Sequence, residues 1–397
     1  SFPSRRHDSK GSLSIMESSE IAEAGRTIVL ASGGTGGHLF PAQALASALE
    51  ARDWKVHLFT DKRGLEWQDR FRDGTVQEIA SSTLTFGKPW KLPGQVSQLV
   101  SGFRQCLDQF KLLTPQVVVG FGGYPSLPVM MAARYAGISS MVHEQNAVAG
   151  RANRIAAGLG NARVIASSFE PLYGFSAAQM ERVKLTGNPV RKQVIDAARP
   201  YNAPPADATF NLLVFGGSQG AQFFSDFMPK MIAELPKAVL KTLRVAQQCR
   251  PEDIDTVRQA YEAAGVTALC KSFFEDMPEL IARSHLVICR SGASSVAELG
   301  VIGRPAIYVP LPHSLDNDQL RNAQSMEKAG GGWVMLQNEM TPQETAAVFT
   351  RLRFDEADLT RTALAASAHG RPNAAELLAD EVEKLARERL SEDTAPE

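Results

Sequence analysis

The sequence predicts an α/β fold of two doubly wound parallel-sheet domains facing a cleft, and three observations support that expectation. Apolar, β-branched runs such as TIVL at 27–30, NLLVF at 211–215 and LVIC at 286–289 suit strands buried on both faces of a parallel sheet. Such runs alternate with Ala-rich helical ones, the rhythm of βαβ units. The alternation stops at ARPYNAPPADAT (198–209), which holds three prolines and few apolar anchors, and then restarts with the same order of strand, glycine loop and helix.

Taken along the chain, residues 1–25 are polar, lack an apolar run and read as a flexible leader, with Met16 a candidate natural start. An N-terminal domain is expected over 26–190, with strands at 27–30, 56–60, 116–119, 140–143 and 164–166 and a helix at 129–136. A linker is read at 191–209 and a C-terminal domain over 210–372. The last segment, 373–397, is expected to be a helix that packs back on the N-terminal domain, followed by a tail.

The bulk numbers exclude several classes. In 397 residues, 42 Lys+Arg stand against 43 Asp+Glu, so the chain has no general attraction for nucleic acid. The four cysteines, Cys106, Cys249, Cys270 and Cys289, form neither a C-x-x-C pair nor a Cys/His cluster, which leaves no disulfide framework and no metal site to predict. No uninterrupted apolar stretch reaches the roughly 18 residues of a membrane-spanning helix.

Residues 31–42, ASGGTGGHLFPA, bring four glycines up to one imidazole, between a strand and a helix start. Glycine permits close backbone approach, and a helix N-terminus offers free N–H groups with partial positive charge, so the place suits a phosphate. A tight packing turn, with His38 capping its helix, is the plainer alternative. Two similar loops follow later strands: GGSQGA from Gly216, and RSGASS from Arg290, leading into a helix that holds Glu298. In doubly wound sheets such loops meet ligands beyond the strand C-termini. A dinucleotide dehydrogenase is the natural rival, with Asp61 as its ribose acid. The G-x-G-x-x-G spacing nevertheless fails: counted from Gly34 it reaches Leu39 at the last glycine, and counted from Gly216 it meets Ser218 at the second.

Taken in order, GGTGGHLFPA, FGGYPS, HEQNAVAGRANR, TGNPVR, GGSQGAQ, CRSGASSVAELG and DNDQ resemble the motif series of the MurG family, from about residue 26 to 390. That family comprises inverting, metal-independent glycosyltransferases of the GT-B fold. The resemblance implies transfer of N-acetylglucosamine from UDP-GlcNAc to the C4 hydroxyl of the muramoyl sugar in undecaprenyl-linked lipid I, giving lipid II, without cofactor or metal. It places acceptor and membrane on the N-terminal domain and the donor on the C-terminal one, and the protein on the cytoplasmic face of the bacterial inner membrane. It also leaves room for other cell-wall synthesis proteins as partners. By the resemblance His38 is the candidate general base, with Thr35, Gly36 and Gly37 in the loop where transfer occurs. Asn146, Asn153, Arg191 and Ser218 match donor contacts, the latter two on the phosphate side. Phe274 matches a backbone contact to uracil, and Ala293, Ser294, Ser295, Val296 and Ala297 form the loop before Glu298, which matches the ribose acid. Gln319 matches the amide that reads GlcNAc hydroxyls. Asp318 stands where some relatives carry His or Gln, and Leu127 where glycine is frequent. Alternatives are another UDP-sugar glycosyltransferase of this fold, a UDP-GlcNAc epimerase, or a non-catalytic sugar-nucleotide binder.

The residue types suit these roles on chemical grounds as well. A base with an unperturbed pKa of about 6.5 fits proton abstraction near neutral pH. Helix N-termini and a guanidinium can hold a leaving diphosphate, and a carboxylate accepts from both hydroxyls of a ribose. Residues 84–115 carry Lys88, Lys91, Arg104 and Lys111 against Asp108 alone. There Phe86, Trp90 and Leu92, with Lys88 and Lys91, are expected to touch an anionic membrane surface. Val96, Leu99, Val100 and Phe103, at i, i+3, i+4 and i+7, are expected to pack on the sheet.

Overall fold

The structure, a computed structural model, describes residues 26–72, 74–83 and 89–393. The predicted leader, Phe86 and Lys88 lie outside the described residues. Runs of Val, Ile, Leu and Phe form the inner strands of two wholly parallel sheets. The first holds β1 (Thr27–Ala31), β2 (Lys55–Thr60), β3 (Val76–Glu78), β4 (Val117–Gly120), β5 (Ser139–Glu144), β6 (Val164–Ser167) and β7 (Val183–Leu185), in the order β3-β2-β1-β4-β5-β6-β7. The second holds β8 (Phe210–Phe215), β9 (Leu243–Gln248), β10 (Thr267–Lys271), β11 (Leu286–Cys289), β12 (Ala306–Tyr308) and β13 (Gly332–Val334), in the order β10-β9-β8-β11-β12-β13.

Each sheet reverses its winding once, between β1 and β4 and between β8 and β11. Helices leaving the two sides of such a point diverge, and a crevice opens at the strand C-termini. The loops after β1, β4, β8 and β11 are the glycine-rich stretches of the sequence, so the topology carries those motifs to the two crevices.

The first sheet is covered on both faces. One cluster joins Val29, Phe59, Val118, Val129, Met130 and Ile165. The other joins Ile28, Leu30, Leu45, Val56 and Val119 to Leu378, Ala379, Val382 and Leu385 of the last helix, Ala374–Asp393. That helix thus returns from the C-terminal half to the N-terminal sheet. Its acids Glu376, Asp380 and Glu383 pair with Arg52, and Glu381 pairs with Lys184.

One expectation holds only in part. The helix Leu92–Leu113 buries Gly102, Cys106 and Phe110, and of the predicted stripe Phe103 packs against the core and Leu99 is half-buried, while Val96 and Val100 are 50% and 44% exposed. Gly102 explains the difference: a Cβ there would stand 1.9 Å from the Ala80 carbonyl oxygen, so the helix touches the domain at that point and the first turns run beyond it.

Candidate active site

The first glycine loop is locked to the loop after β4 through backbone. Gly33 N–H donates to the Gly122 carbonyl at 3.0 Å, and a Cβ on Gly123, whose φ is +77°, would stand 2.9 Å from the Gly33 Cα. The imidazole of His38 lies between these glycines. A Cβ on Gly33 would meet its Cδ2 at 3.4 Å, and one on Gly122, at φ +90°, its Cε1 at 3.3 Å. The glycines therefore clear space for a ring as well as for a ligand. His38 opens the helix Gly36–Glu50, whose first turn contains no acid and whose N-cap, Thr35, makes no side-chain cap. Thr35 and Gly37 are exposed there, and nothing lies within 4 Å of a Cβ built on Gly37. The N–H groups of Gly36 and Gly37 stay available to an anion, while those of His38 and Leu39 donate to the Thr35 carbonyl at 3.0 and 2.9 Å.

Burial lowers the His38 pKa below its usual 6.5, opposed by Gln145, by the Phe121 carbonyl and by Asp61, while Arg63 adds to the lowering. The ring is thus neutral, the form a base requires, at pH values where an ordinary histidine begins to charge. Asp61, the rival ribose acid, is occupied otherwise. It accepts from Gly34 N–H at 3.3 Å and from the Arg63 backbone at 2.9 Å, and it pairs with the Arg63 guanidinium at 2.6 Å.

The HEQN run at the end of β5 is a scaffold wound around Glu144. This buried carboxylate accepts from Asn146 N–H at 3.0 Å, Gly150 N–H at 2.9 Å and the Asn153 amide at 2.8 Å. Asn153 also donates to the His143 carbonyl and is only 2% exposed, which places it beneath the crevice and not on its surface. Asn146 faces the other half of the molecule, where its Oδ1 accepts from Asn322 Nδ2 at 3.0 Å. Asn322, fully buried, also takes Ala147 N–H on its Oδ1 at 2.8 Å and donates to the Ser291 carbonyl at 3.1 Å. Sequence reasoning missed this strap, for a lone Asn inside a helix carries no signal of its own.

In the C-terminal half, Gly216 and Gly217 donate to Gln248 Oε1 at 3.3 and 2.9 Å, which holds the loop that opens the helix Gly217–Ala233. Ser218 lies in the first turn of that helix. The helix Ala293–Ile302 likewise starts without an acid, at Gly292, and presents Ser294, Ser295, Ala297 and Glu298, while Ala293 and Val296 are buried. Phe274 is buried just after β10. Gln319 accepts from Leu311 N–H through Oε1 at 3.0 Å, and its carbonyl takes the Ser291 hydroxyl at 2.8 Å. Arg191 joins the two halves, with its guanidinium 4.3 Å over the Phe40 ring and 3.4 Å from Glu298. Burial raises the Glu298 pKa above 4.5 in spite of Arg191. Contacts thus link the two halves at these residues: Arg191 ties the helix of Phe40 and His38 to Glu298, and Asn322 ties Asn146 to Ser291, whose hydroxyl donates to the Gln319 carbonyl.

One topological switch point brings a half-buried imidazole and the other a helix start with an acid. This is the form of a two-domain glycosyltransferase that uses a nucleotide-linked sugar. Residues 28–162 match the model of the glycosyltransferase family 28 N-terminal domain, and residues 211–378 that of the family's C-terminal domain. A UDP-N-acetylglucosamine–N-acetylmuramyl-(pentapeptide) pyrophosphoryl-undecaprenol N-acetylglucosamine transferase of Rhizobium johnstonii is 45% identical over 363 residues, 91% of this chain and 96% of that one. The enzyme of the same name from Brucella abortus is 47% identical over 90% of this chain and 94% of its own. The crystal structure of MurG from Acinetobacter baumannii superposes with a TM-score of 0.73 at 29% identity, covering 90% of this chain and 99% of that one. A putative UDP-N-acetylglucosamine 2-epimerase from Listeria monocytogenes shares the fold alone, with a TM-score of 0.62 at 14% identity over 91% of this chain and 97% of its own. The chain belongs to the MurG family of glycosyltransferases.

Proposed function

We propose that this chain moves N-acetylglucosamine from UDP-GlcNAc to the C4 hydroxyl of the muramoyl sugar of undecaprenyl-linked lipid I, with inversion, giving lipid II. The observation that carries the reading is the crevice itself, intact in a chain 45% identical to a transferase of that name. His38 takes the proton from the acceptor hydroxyl as its oxygen bonds the anomeric carbon. The bond from that carbon to the β-phosphate oxygen breaks, and UDP leaves with the electron pair. Charge growing on the diphosphate meets Arg191 and the N–H groups of the helix starts at Gly36, Gly217 and Ala293, preorganised dipoles that stabilise it without reorganising. Glu298 accepts from the ribose hydroxyls. Gln319 keeps its Nε2 for the sugar, since Oε1 is occupied by Leu311. Incubation with UDP-GlcNAc and a lipid I analogue tests the reading: disaccharide product is expected, and release of free GlcNAc alone, or epimerised donor, would refute it.

The acceptor is membrane-bound, yet among the described residues no helix is long and apolar enough to cross a membrane. A surface that docks on anionic lipid at the cytoplasmic face of the inner membrane meets this need. Trp90 is 72% exposed beside exposed Lys91 and half-buried Leu92, and the exposed Val96 and Val100 extend the apolar face along the same helix. Rings and aliphatic chains entering the interface, with a cation against the headgroups, match a monotopic surface.

A further inference from the structure

The ring of His38 belongs to a hydrogen-bonded chain whose direction can be worked out from its fixed end. The Gly187 carbonyl only accepts, and it lies 3.0 Å from His143 Nε2, so that nitrogen carries the proton. His143 is wholly buried, and burial pushes its pKa down to about 4, helped by the neighbouring His38 and opposed by the Gly187 carbonyl. The ring is therefore neutral, and its Nδ1 can only accept. Gln145 Nε2 faces that Nδ1 at 3.1 Å and the His143 carbonyl at 3.0 Å. Two acceptors at one end of the amide assign its nitrogen to that end and its oxygen to the other. The oxygen, Gln145 Oε1, lies 3.1 Å from His38 Nδ1, which must donate.

We propose that Gln145 and His143 are positioning residues that hold His38 in the tautomer with the proton on Nδ1, leaving the Nε2 lone pair to take the acceptor proton. The proposal rests on His38 being the base. In water a free imidazole favours the opposite tautomer, with hydrogen on Nε2, so the chain reverses the intrinsic preference of the ring. It also orients the ring, as the partner of one nitrogen commonly does for the working nitrogen. After transfer the imidazolium still donates through Nδ1 to Gln145, and the Phe121 carbonyl favours the charged ring as well. The other charged or titratable groups facing the ring are His143 from β5 and the Asp61–Arg63 pair beyond β2; members of the pair act on it in opposite senses. The run HEQN thereby divides its work: Glu144 builds the loop, and His143 with Gln145 set the base.

The test uses the full chain labelled with 15N-histidine. Long-range 1H–15N correlation at neutral pH is expected to show His38 as the Nδ1–H form, assigned by its loss in His38→Ala. An Nε2–H pattern would put the proton on the other nitrogen and overturn the proposal, whatever the role of His38 in catalysis. Gln145→Leu frees the ring, so a mixed or reversed tautomer is expected, with kcat falling roughly ten- to a hundredfold while KM for UDP-GlcNAc stays near the parent value. Gln145→Glu still accepts from Nδ1–H but sets its second oxygen against His143 Nδ1 and the His143 carbonyl, so it is expected to keep the tautomer and recover only part of the turnover lost in Gln145→Leu, with the acid limb of kcat/KM moved to higher pH. A Leu variant that binds UDP normally and turns over like the parent would sink the idea. If His38→Ala instead retains turnover, the base lies elsewhere, and the tautomer spectrum still decides the hydrogen-bond chain on its own.

Discussion

Glu298→Gln separates binding from stability. In the structure the carboxylate is only 12% exposed and lies 3.4 Å from Arg191, yet burial dominates and raises its pKa. An acid whose folded pKa lies above its unfolded value holds its proton more tightly when folded. Its effect on stability is most favourable below the unfolded pKa and is lost as pH rises through the folded one. At neutral pH the ionised carboxylate is therefore a net cost to the fold, and an amide of the same shape removes it. The melting temperature of Glu298→Gln is expected to equal or exceed that of the parent near pH 8, with a flatter dependence on pH above the ordinary carboxylate range. Donor binding moves the other way. Hydrogen bonds to a charged acceptor contribute about 1.5–3 kcal/mol and neutral ones about 0.5–1.5 kcal/mol. An amide oxygen can still accept from one ribose hydroxyl, so the loss is about 1–2 kcal/mol, or roughly 5- to 30-fold in Kd. Calorimetric titration with UDP and thermal melts across pH read the two effects. Unchanged UDP affinity would remove Glu298 as the ribose ligand, and a melting temperature several degrees lower would mean that the Arg191 pair outweighs burial.

Four further outcomes follow from the geometry. His38→Ala is expected to keep UDP-GlcNAc affinity and lose roughly 10² to 10⁴ in turnover, and retained turnover would relocate the base. Gly122→Ala, at φ +90° and 3.3 Å from His38 Cε1, should lower stability in urea by about 1–2 kcal/mol, whereas Gly37→Ala, with nothing within 4 Å, should not; equal effects would contradict the packing described. Asn322→Ala strands Ala147 N–H and the Ser291 carbonyl between the halves. Small-angle scattering should show a more open particle that UDP-GlcNAc compacts again about the 191–209 linker, and a profile identical to the parent would leave the strap without a role. Trp90→Ala combined with Val96→Ser and Val100→Ser should abolish co-sedimentation with anionic vesicles at unchanged UDP affinity, and undiminished sedimentation would exclude this face.

The fold class was legible because inner strands of parallel sheets are continuous apolar words: TIVL, NLLVF and LVIC correspond to β1, β8 and β11. Short strands such as β3, β7, β12 and β13 have only three residues each and carry no such pattern. The stripe over residues 96–103 was legible only in part, because helical periodicity gives an apolar face but not how far its partner extends: packing holds around Gly102 and Phe103, and the face at Val96 and Val100 runs out to solvent. In the site, the glycine loops could be read as places for close approach. Their interlock could not, since Gly33 with Gly122, His38 with Gln145 and Asn146 with Asn322 are partners only through the tertiary fold. Asp61 shows the converse. Its position at a strand end suggested a ribose contact, whereas it ties Gly34 and Arg63 together.

The return of the last helix to the first sheet sets an order on how the molecule is made. Leu378, Ala379, Val382 and Leu385 belong to the same core as Ile28, Leu30 and Val56. While the chain is being synthesised, one face of the N-terminal sheet, covered in part by the helix Gly36–Glu50, lacks the rest of its cover until the helix Ala374–Asp393 has left the ribosome. The half translated first is thus the half finished last, and the C-terminal half, one of whose two cores draws on residues 210–359, can close that core before it. Damage near the C-terminus would then strike the opposite end of the molecule, exposing the apolar side of the sheet that carries His38.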